Sequence, residues 1–374
     1  RLTNTASPTR LVALDAFRGA TMALMILVNT PGNDRTTYWP LQHAQWDGWT
    51  PTDVVFPSFL WIVGVAMTLS LGRRLAAGAS RMSLFLQALR RAAIIFTLGL
   101  IVYAYPNFNL STQRLLGVLQ RIAICYLIAV AIFLTTGLRG QILWIGGLMT
   151  AYWMLMTLAP VPGYGPGNLS VEGNFSHYID RLVLGAHNYA STRTWDPEGV
   201  VSTLPAIATA LFGVLAGRLL ATAKSLAEKT TWMFFYGNLL IFGGIVVSAW
   251  LPINKKLWSD SFSLFMAGLD FVLLAMFLWL VDGLGYKRIV RPFVILGMNA
   301  IVVYMASELI EEVFDAVKMT SGGKLVNLHE WLYVTVFQPL ASPMNASLMY
   351  AVAYVLSMFL IAWVMYRRGW FVRI

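Results

Sequence analysis

Apolar residues gather along the chain into ten stretches of about 20, each long enough as a helix to cross a bilayer. They lie near 11–31, 54–72, 84–105, 115–136, 141–160, 199–219, 231–251, 262–281, 292–310 and 346–366. Most of the polar linkers between them are short. Two are long, at about 161–198 and 311–345, and both carry Gly, Pro and aromatic residues; the second includes an amphipathic run from His329 to Gln338. The pattern predicts an all-α polytopic membrane helix bundle in which residues 1–374 form one domain and the two long loops can fold over a site. It shows no obvious pair of discontinuous helices.

Composition agrees, with 58% hydrophobic and 12% charged residues, where a soluble domain has roughly 45–50% and 25%. The 27 Lys and Arg residues divide unevenly: seventeen fall on the termini and the linkers that share a side with them, eight on the opposite linkers, and Arg18 and Arg121 inside spans. By the positive-inside rule both termini are expected in the cytoplasm. The net charge of +10 is then a topology signal, and a nucleic-acid partner is not expected. The sequence starts without Met and shows no separate signal peptide, so the first span is expected to act as the targeting signal. Cys125 is the single cysteine, cannot form an internal disulfide, and reads as packing.

Chemistry concentrates at one membrane mouth. The segment His43-Ala-Gln-Trp-Asp-Gly-Trp-Thr-Pro-Thr-Asp53 sets a histidine, two carboxylates and two tryptophans directly before the uncharged second span. All four histidines, His43, His177, His187 and His329, fall on the outer side, and none has zinc-site spacing, so no metal is expected. No Gly-x-Ser-x-Gly elbow or Walker loop occurs, and Gly163-Tyr-Gly-Pro-Gly167 reads as a turn. Inside the spans, Asp15 and Arg18 are three residues apart on one helix face and can pair. Arg121 has no acid near it in sequence and needs an anion elsewhere, a ligand phosphate or a carboxylate such as Asp270.

These residues carry a family likeness. Arg10-Leu-Val-Ala-Leu-Asp15-Ala-Phe-Arg18-Gly, Val28-Asn29, the His43–Asp53 block running on to Pro57, Gly117-Val-Leu-Gln-Arg121-Ile, Asp196-Pro-Glu198-Gly, Leu251-Pro-Ile-Asn-Lys255-Lys-Leu-Trp-Ser259 and Gly297-Met-Asn299-Ala-Ile-Val-Val-Tyr304 stand in one order over residues 10–366. Together they resemble the heparan-alpha-glucosaminide N-acetyltransferase family. The resemblance implies transfer of an acetyl group from cytosolic acetyl-CoA, across the membrane, to the amine of a glucosamine-type sugar on the periplasmic or lumenal side. It implies that His43 is catalytic and that Asn29, closing the first helix, belongs to the active site. It also suggests a homodimer. The loop from Thr30 to Gln42 is longer than in the mammalian enzyme, and that enzyme's large lumenal N-terminal region and extra first span have no counterpart here. This compact form suits a bacterial inner membrane, with membrane lipids as further partners.

The residues can be assigned roles within such a reaction. A protonated amine has no lone pair for attack, so acyl transfer needs a base, and the thioester oxygen needs donors as it turns negative. His43 suits the first role and the Asn29 amide the second. His43 could instead take the acetyl group itself; a single cavity open to both faces would favour direct attack. Asp47 and Asp53 are the carboxylates able to orient His43, and Asp53 could equally cap the second helix. Trp46 and Trp49 fit either a sugar-stacking platform or the interfacial belt. Asp196 and Glu198 face the acceptor side and suit an ammonium or sugar hydroxyls. Arg18, Arg121, Lys287, Arg288 and Arg291 are the candidates for the coenzyme phosphates, although lipid headgroups attract the same clusters. A secondary transporter of a small polar or sugar substrate is the competing reading.

Overall fold

A computed structural model describes residues 11–321 and 323–372, so the counted Arg1, Arg10 and Arg373 lie outside the described residues. Among the described residues nine helices are long and apolar enough to cross a membrane. Eight of them are α1 (Val12–Asn29), α2 (Val55–Ala76), α3 (Arg81–Ala104), α4 (Val118–Thr135) and α5 (Leu138–Leu158), then, after the short α6 (Phe175–Val183), α7 (Thr203–Leu220), α8 (Leu226–Val247) and α9 (Asp260–Phe277); the ninth is the last helix of the chain. A bent pair, α10 (Arg291–Met298) and α11 (Ala300–Ala316), supplies a tenth crossing if counted as one span. A hairpin of β1 (Lys318–Ser321) and β2 (Lys324–Asn327), the short α12 (Leu328–Leu332) and the long α13 (Pro343–Arg368) complete the chain. The all-α polytopic bundle read from hydropathy is what the molecule forms.

Burial sorts the helices into a core and a periphery. α2 and α7 are 67% and 72% buried along their apolar windows, whereas α5 and α8 reach only 22% and leave residues such as Trp144, Leu143, Phe235 and Phe242 facing outward. Outward apolar side chains suit contact with lipid. The core pair is held close by glycine. A Cβ at Gly64 would stand 2.0 Å from the Ala210 carbonyl oxygen, and one at Gly213 2.0 Å from that of Trp61. No side chain fits there, and the two backbones meet directly. α1 and α10 approach in the same way through Gly19 and Gly297.

The ninth span differs from the expectation of an unbroken helix, bending by 80° at Asn299. Its backbone groups find other partners. Arg18 Nε donates to the Gly297 carbonyl at 2.8 Å, and the Asn299 amide both donates to the Trp370 carbonyl and accepts from the Val372 amide, each at 3.0 Å. A broken helix at membrane depth is tolerated when its freed groups are satisfied in this way. Sequence gave no sign of it because an Asn between apolar runs does not interrupt hydropathy.

The long loop after α11 carries, before its amphipathic run, a hairpin that the sequence reading did not include. The strands pair from Lys318 with Asn327 to Ser321 with Lys324, and Gly323 stands at φ +77° before β2; a hydropathy window averages out so short a strand pair. Beyond it His329 clamps the loop to the bundle: Nδ1 contacts Glu311 of α11, and Nε2 lies 3.2 Å from the Gly32 carbonyl. Arg121 and Asp270 do not pair. Asp270 accepts from Ser58, while Arg121 donates to the Gly199 carbonyl and Ser202 Oγ and lies over the Trp258 ring at 5.1 Å. Arg18 does pair with Asp15, at 2.7 Å.

Candidate active site

The His43 block folds because Asp53 divides its two carboxylate oxygens between structure and site. Pro51–Val54 forms a 3₁₀ turn leading into α2, with Thr50 at its N-cap and Asp53 three residues on. Asp53 Oδ2 accepts the backbone N–H of Thr50 at 3.0 Å and of Ala44 at 3.1 Å, which is the reciprocal half of a capping box. These bonds fix the carboxylate, and its other oxygen, Oδ1, sits 2.7 Å from His43 Nδ1. Capping and orientation of the histidine are therefore one residue's work.

The loop before α9 brings a third group to the same point. Lys255 Nζ lies 3.1 Å from His43 Nδ1 and 3.5 Å from Asp53 Oδ1. A proton on Nδ1 donated to Asp53 leaves Nε2 with a free lone pair, the tautomer a base requires. The side chains of His43, Lys255 and Asp53 are 48%, 20% and 1% exposed, so the histidine opens to solvent above a covered ion pair. Partial burial, with help from Lys255, lowers the His43 pKa from its ordinary 6.5 despite the opposing hydrogen bond from Asp53. Burial lowers Lys255 as well, offset in part by Asp53.

Around His43 is a cavity of about 420 Å³, also lined by Asn29, Trp46, Arg114, Tyr189, Trp195, Glu198, Lys255 and Tyr304. Asn29 reaches it from the end of α1, and its side chain bonds the Glu308 carboxyl. Arg114 grips Asp196 through Nε at 2.7 Å and a terminal nitrogen at 2.6 Å, also contacts Glu198, and lies between the Tyr103 and Tyr189 rings. Although burial opposes its charge, the carboxylates push the Arg114 pKa upward. Burial likewise opposes ionisation of Glu198, yet Arg114 holds its carboxyl below the usual range.

This arrangement redistributes the sequence candidates. His43, Asn29, Asp53, Trp46 and Glu198 come together at the cavity. Asp196 is buried beneath it, fully engaged by Arg114, and so is not available as a direct acceptor contact. Asp47 points away and accepts from Asn254 at 3.2 Å. Trp49 leans on Phe265, 5.0 Å between ring centroids, outside the cavity lining. Trp46 stands edge-on to Trp195 and to His177, whose ring stacks on Trp195 at 4.1 Å. Burial lowers the His177 pKa to about 3, so it is a neutral wedge behind the aromatic wall. Arg114, Lys255, Tyr189 and Trp195 were not singled out from sequence. Lys255 lay inside a quoted family segment, and Arg114 was counted only as an outer-side charge.

A second cavity, about 740 Å³, opens at the other ends of α1 and α2. Arg18, Arg74, Arg90 and Arg91 line it, together with Gly297 and Met298 beside the helix break. Arg74 donates to Gln87 at 2.6 Å, and Arg91 lies over the Tyr126 ring. Among the described residues no carboxylate is within ion-pair reach of Arg74, Arg90 or Arg91. Arg121, Lys287, Arg288 and Arg291 line neither cavity, the first because it is packed on Trp258 between α4 and the α7 entry. Met25, Phe59, Val118 and Tyr304 belong to both linings and form a waist between them.

Known proteins resemble this chain over most of its length. The family model described as "Heparan-alpha-glucosaminide N-acetyltransferase, catalytic" matches residues 10–244. Curated proteins named heparan-alpha-glucosaminide N-acetyltransferase from Mus musculus and Homo sapiens are 31% and 30% identical over 367 and 364 residues. Each match covers 83% of this chain, and the chain spans about half the length of these relatives, 55% and 54%.

Proposed function

Since the chain belongs to the heparan-alpha-glucosaminide N-acetyltransferase family, we propose that it transfers an acetyl group from acetyl-CoA, bound at the Arg-lined cavity, to an amino-sugar nitrogen at the His43 cavity. The observation that carries this reading is the shared waist. One face of α2, through Asp53, Phe56, Phe59, Val63, Ala66, Ser70 and Arg74, lines both chambers without a break. Twenty-one residues of helix rise about 30 Å, the thickness of a bilayer's hydrocarbon core. The two chambers therefore abut at the waist, which supports a passage between the acetyl donor and the acceptor.

Coenzyme A suits the first chamber by its chemistry. Its phosphates need guanidinium groups not already neutralised, and Arg74, Arg90 and Arg91 answer that need, with Arg18 beside them. The thioester supplies an activated acetyl group. At the other end His43 Nε2 removes the proton from the attacking amine as the carbon–nitrogen bond forms and the thiolate leaves. Asp53 holds the ring and stabilises the imidazolium, and one N–H of the Asn29 amide is available to the developing oxyanion. Glu198, Trp46 and Trp195 offer a carboxylate and two aromatic faces to a glucosamine. The basic residues crowd the side of the Arg-lined chamber, so we assign that side to the cytoplasm and the His43 side to the periplasm or lumen.

The test is a sealed vesicle with glucosamine trapped on one face. Labelled acetyl-CoA supplied at the Arg-lined face should acetylate the trapped sugar without acetyl-CoA itself appearing inside. Acetylation only when both substrates share a face would overturn the transmembrane route.

A further inference from the structure

The ammonium of Lys255 sits where neither the acceptor nor the donor requires a charge, yet within hydrogen-bond distance of the histidine ring. Two arrangements of protons are open to the three atoms His43 Nδ1, Asp53 Oδ1 and Lys255 Nζ. If Lys255 donated to Nδ1, the ring proton would move to Nε2 and the base would be blocked. Two lone pairs, on Nδ1 and Oδ1, would then also confront each other at 2.7 Å. With the proton on Nδ1 directed at Asp53, the short contact is a hydrogen bond and Lys255 serves as the carboxylate's counter-ion. The second arrangement keeps the shortest contact, Nδ1–H to Asp53, as a hydrogen bond and leaves the 3.1 Å approach of the ammonium to Nδ1 as a repulsive one, which opposes any further proton on the ring.

We propose that Lys255 is a positioning residue that keeps His43 unprotonated at rest. A buried carboxylate alone would favour imidazolium, and a histidine already carrying a proton cannot accept one from the amine. Lys255 cancels the Asp53 charge and places its own positive charge beside the ring, so the histidine stays neutral until the amine attacks. The other charged groups near the ring do not replace it. Lys256, on the same loop, donates to the Gln45 carbonyl and lies over the Trp46 ring, and its charge acts on His43 in the same direction as that of Lys255 but more weakly. Across the cavity, from the segment before α4 and the one before α7, Arg114 is held between the carboxylates of Asp196 and Glu198, a cluster with no positive charge to spare for the ring. Tyr189 and Tyr304, which complete the wall, bring phenol hydroxyls and no carboxylate or ammonium. His177 is screened from His43 by Trp46.

The proposal rests on His43 being the base, and its test separates the two. In Lys255→Met the acid limb of kcat/KM against pH should move to higher pH. Its rate at pH 6 should fall about tenfold relative to wild type, while the rates at pH 8.5 draw together, one unit of displacement being one decade. Lys255→Arg, which keeps the charge, should restore the wild-type limb. A uniform loss at every pH in Lys255→Met would mean a merely structural role and would overturn the proposal. Modification of His43 by diethyl pyrocarbonate, followed by peptide mass spectrometry across pH, reads the same ionisation without turnover. There the half-modification pH should rise in Lys255→Met and return in Lys255→Arg, whether or not His43 proves to be the base. An unmoved midpoint in folded Lys255→Met protein, judged by its melting curve, would refute the coupling.

Discussion

At the His43 end of the passage positive groups have close acidic partners: Lys255 faces Asp53, and Arg114 faces Asp196 and Glu198. At the opposite end Arg74, Arg90 and Arg91 converge on a larger chamber, and among the described residues no carboxylate is within ion-pair reach of them. The first arrangement leaves little net field and suits a reaction in which a proton changes hands between an amine and an imidazole. The second leaves a standing positive potential and suits a polyanion that must be caught and held. On the proposed function, one bundle separates proton chemistry from charge capture by the length of α2.

The strongest challenge to that division is His43→Ala. It should lower acetyl transfer by on the order of 10²- to 10⁴-fold, the usual weight of general acid–base catalysis, while acetyl-CoA binding measured by calorimetry stays at wild-type strength. Parallel loss of both would collapse the two ends into one site. Next in size, Arg90→Ala or Arg91→Ala should raise the KM for acetyl-CoA by roughly 10- to 100-fold, each charge-assisted contact being worth about 1.5–3 kcal/mol. The KM for the amino sugar should not change. Arg288→Ala, outside the lining, should leave both values near wild type; a large donor effect there would move the coenzyme site to the α9–α10 connection.

The smallest effect concerns the outer loop that flanks the balanced end. Burial disfavours charge on His329, but its Glu311 partner outweighs this, and the His329 pKa is raised above 6.5. Both ring nitrogens face acceptors, so only the imidazolium can donate to Glu311 and Gly32 together. Because the folded value exceeds the unfolded one, this stabilisation is complete below about pH 6.5 and is lost as pH climbs through the folded value. His329→Gln should be less stable than wild type by about 1 kcal/mol at pH 5.5, with the two melting curves converging at alkaline pH. A difference independent of pH would mean that shape, not charge, holds the loop.

Much of this was legible beforehand, and the reason is locality. Spans follow from runs of apolar residues, and the His43–Asp53 bond joins residues ten apart in one turn, so both leave a mark in sequence. The Arg114–Asp196 and Lys255–His43 contacts join residues 82 and 212 apart, and no spacing rule reports them. The coenzyme candidates were chosen for lying at span edges, where Lys287, Arg288 and Arg291 stand out. Arg90 and Arg91 looked like ordinary topology charges because the wall they complete is assembled from α1, α2, α3 and the α10–α11 break. Asp196 illustrates the reverse case: a carboxylate on the right side of the membrane is not an open ligand once an arginine has closed around it.

The continuous lining on α2 also governs how this gene can vary. An extra residue near Gly64 would turn everything beyond it by about 100° and advance it about 1.5 Å, leaving Asp53 in place while swinging Arg74 out of its chamber. The same slip would bring a side chain against the Ala210 carbonyl, where only Gly64 fits. Substitutions along the lining can be tried one at a time, but insertions and deletions within the helix strike both chambers together. Length variation among descendants of this sequence should therefore collect in the loops, and the stretch from Asp53 to Arg74 should be inherited at constant length.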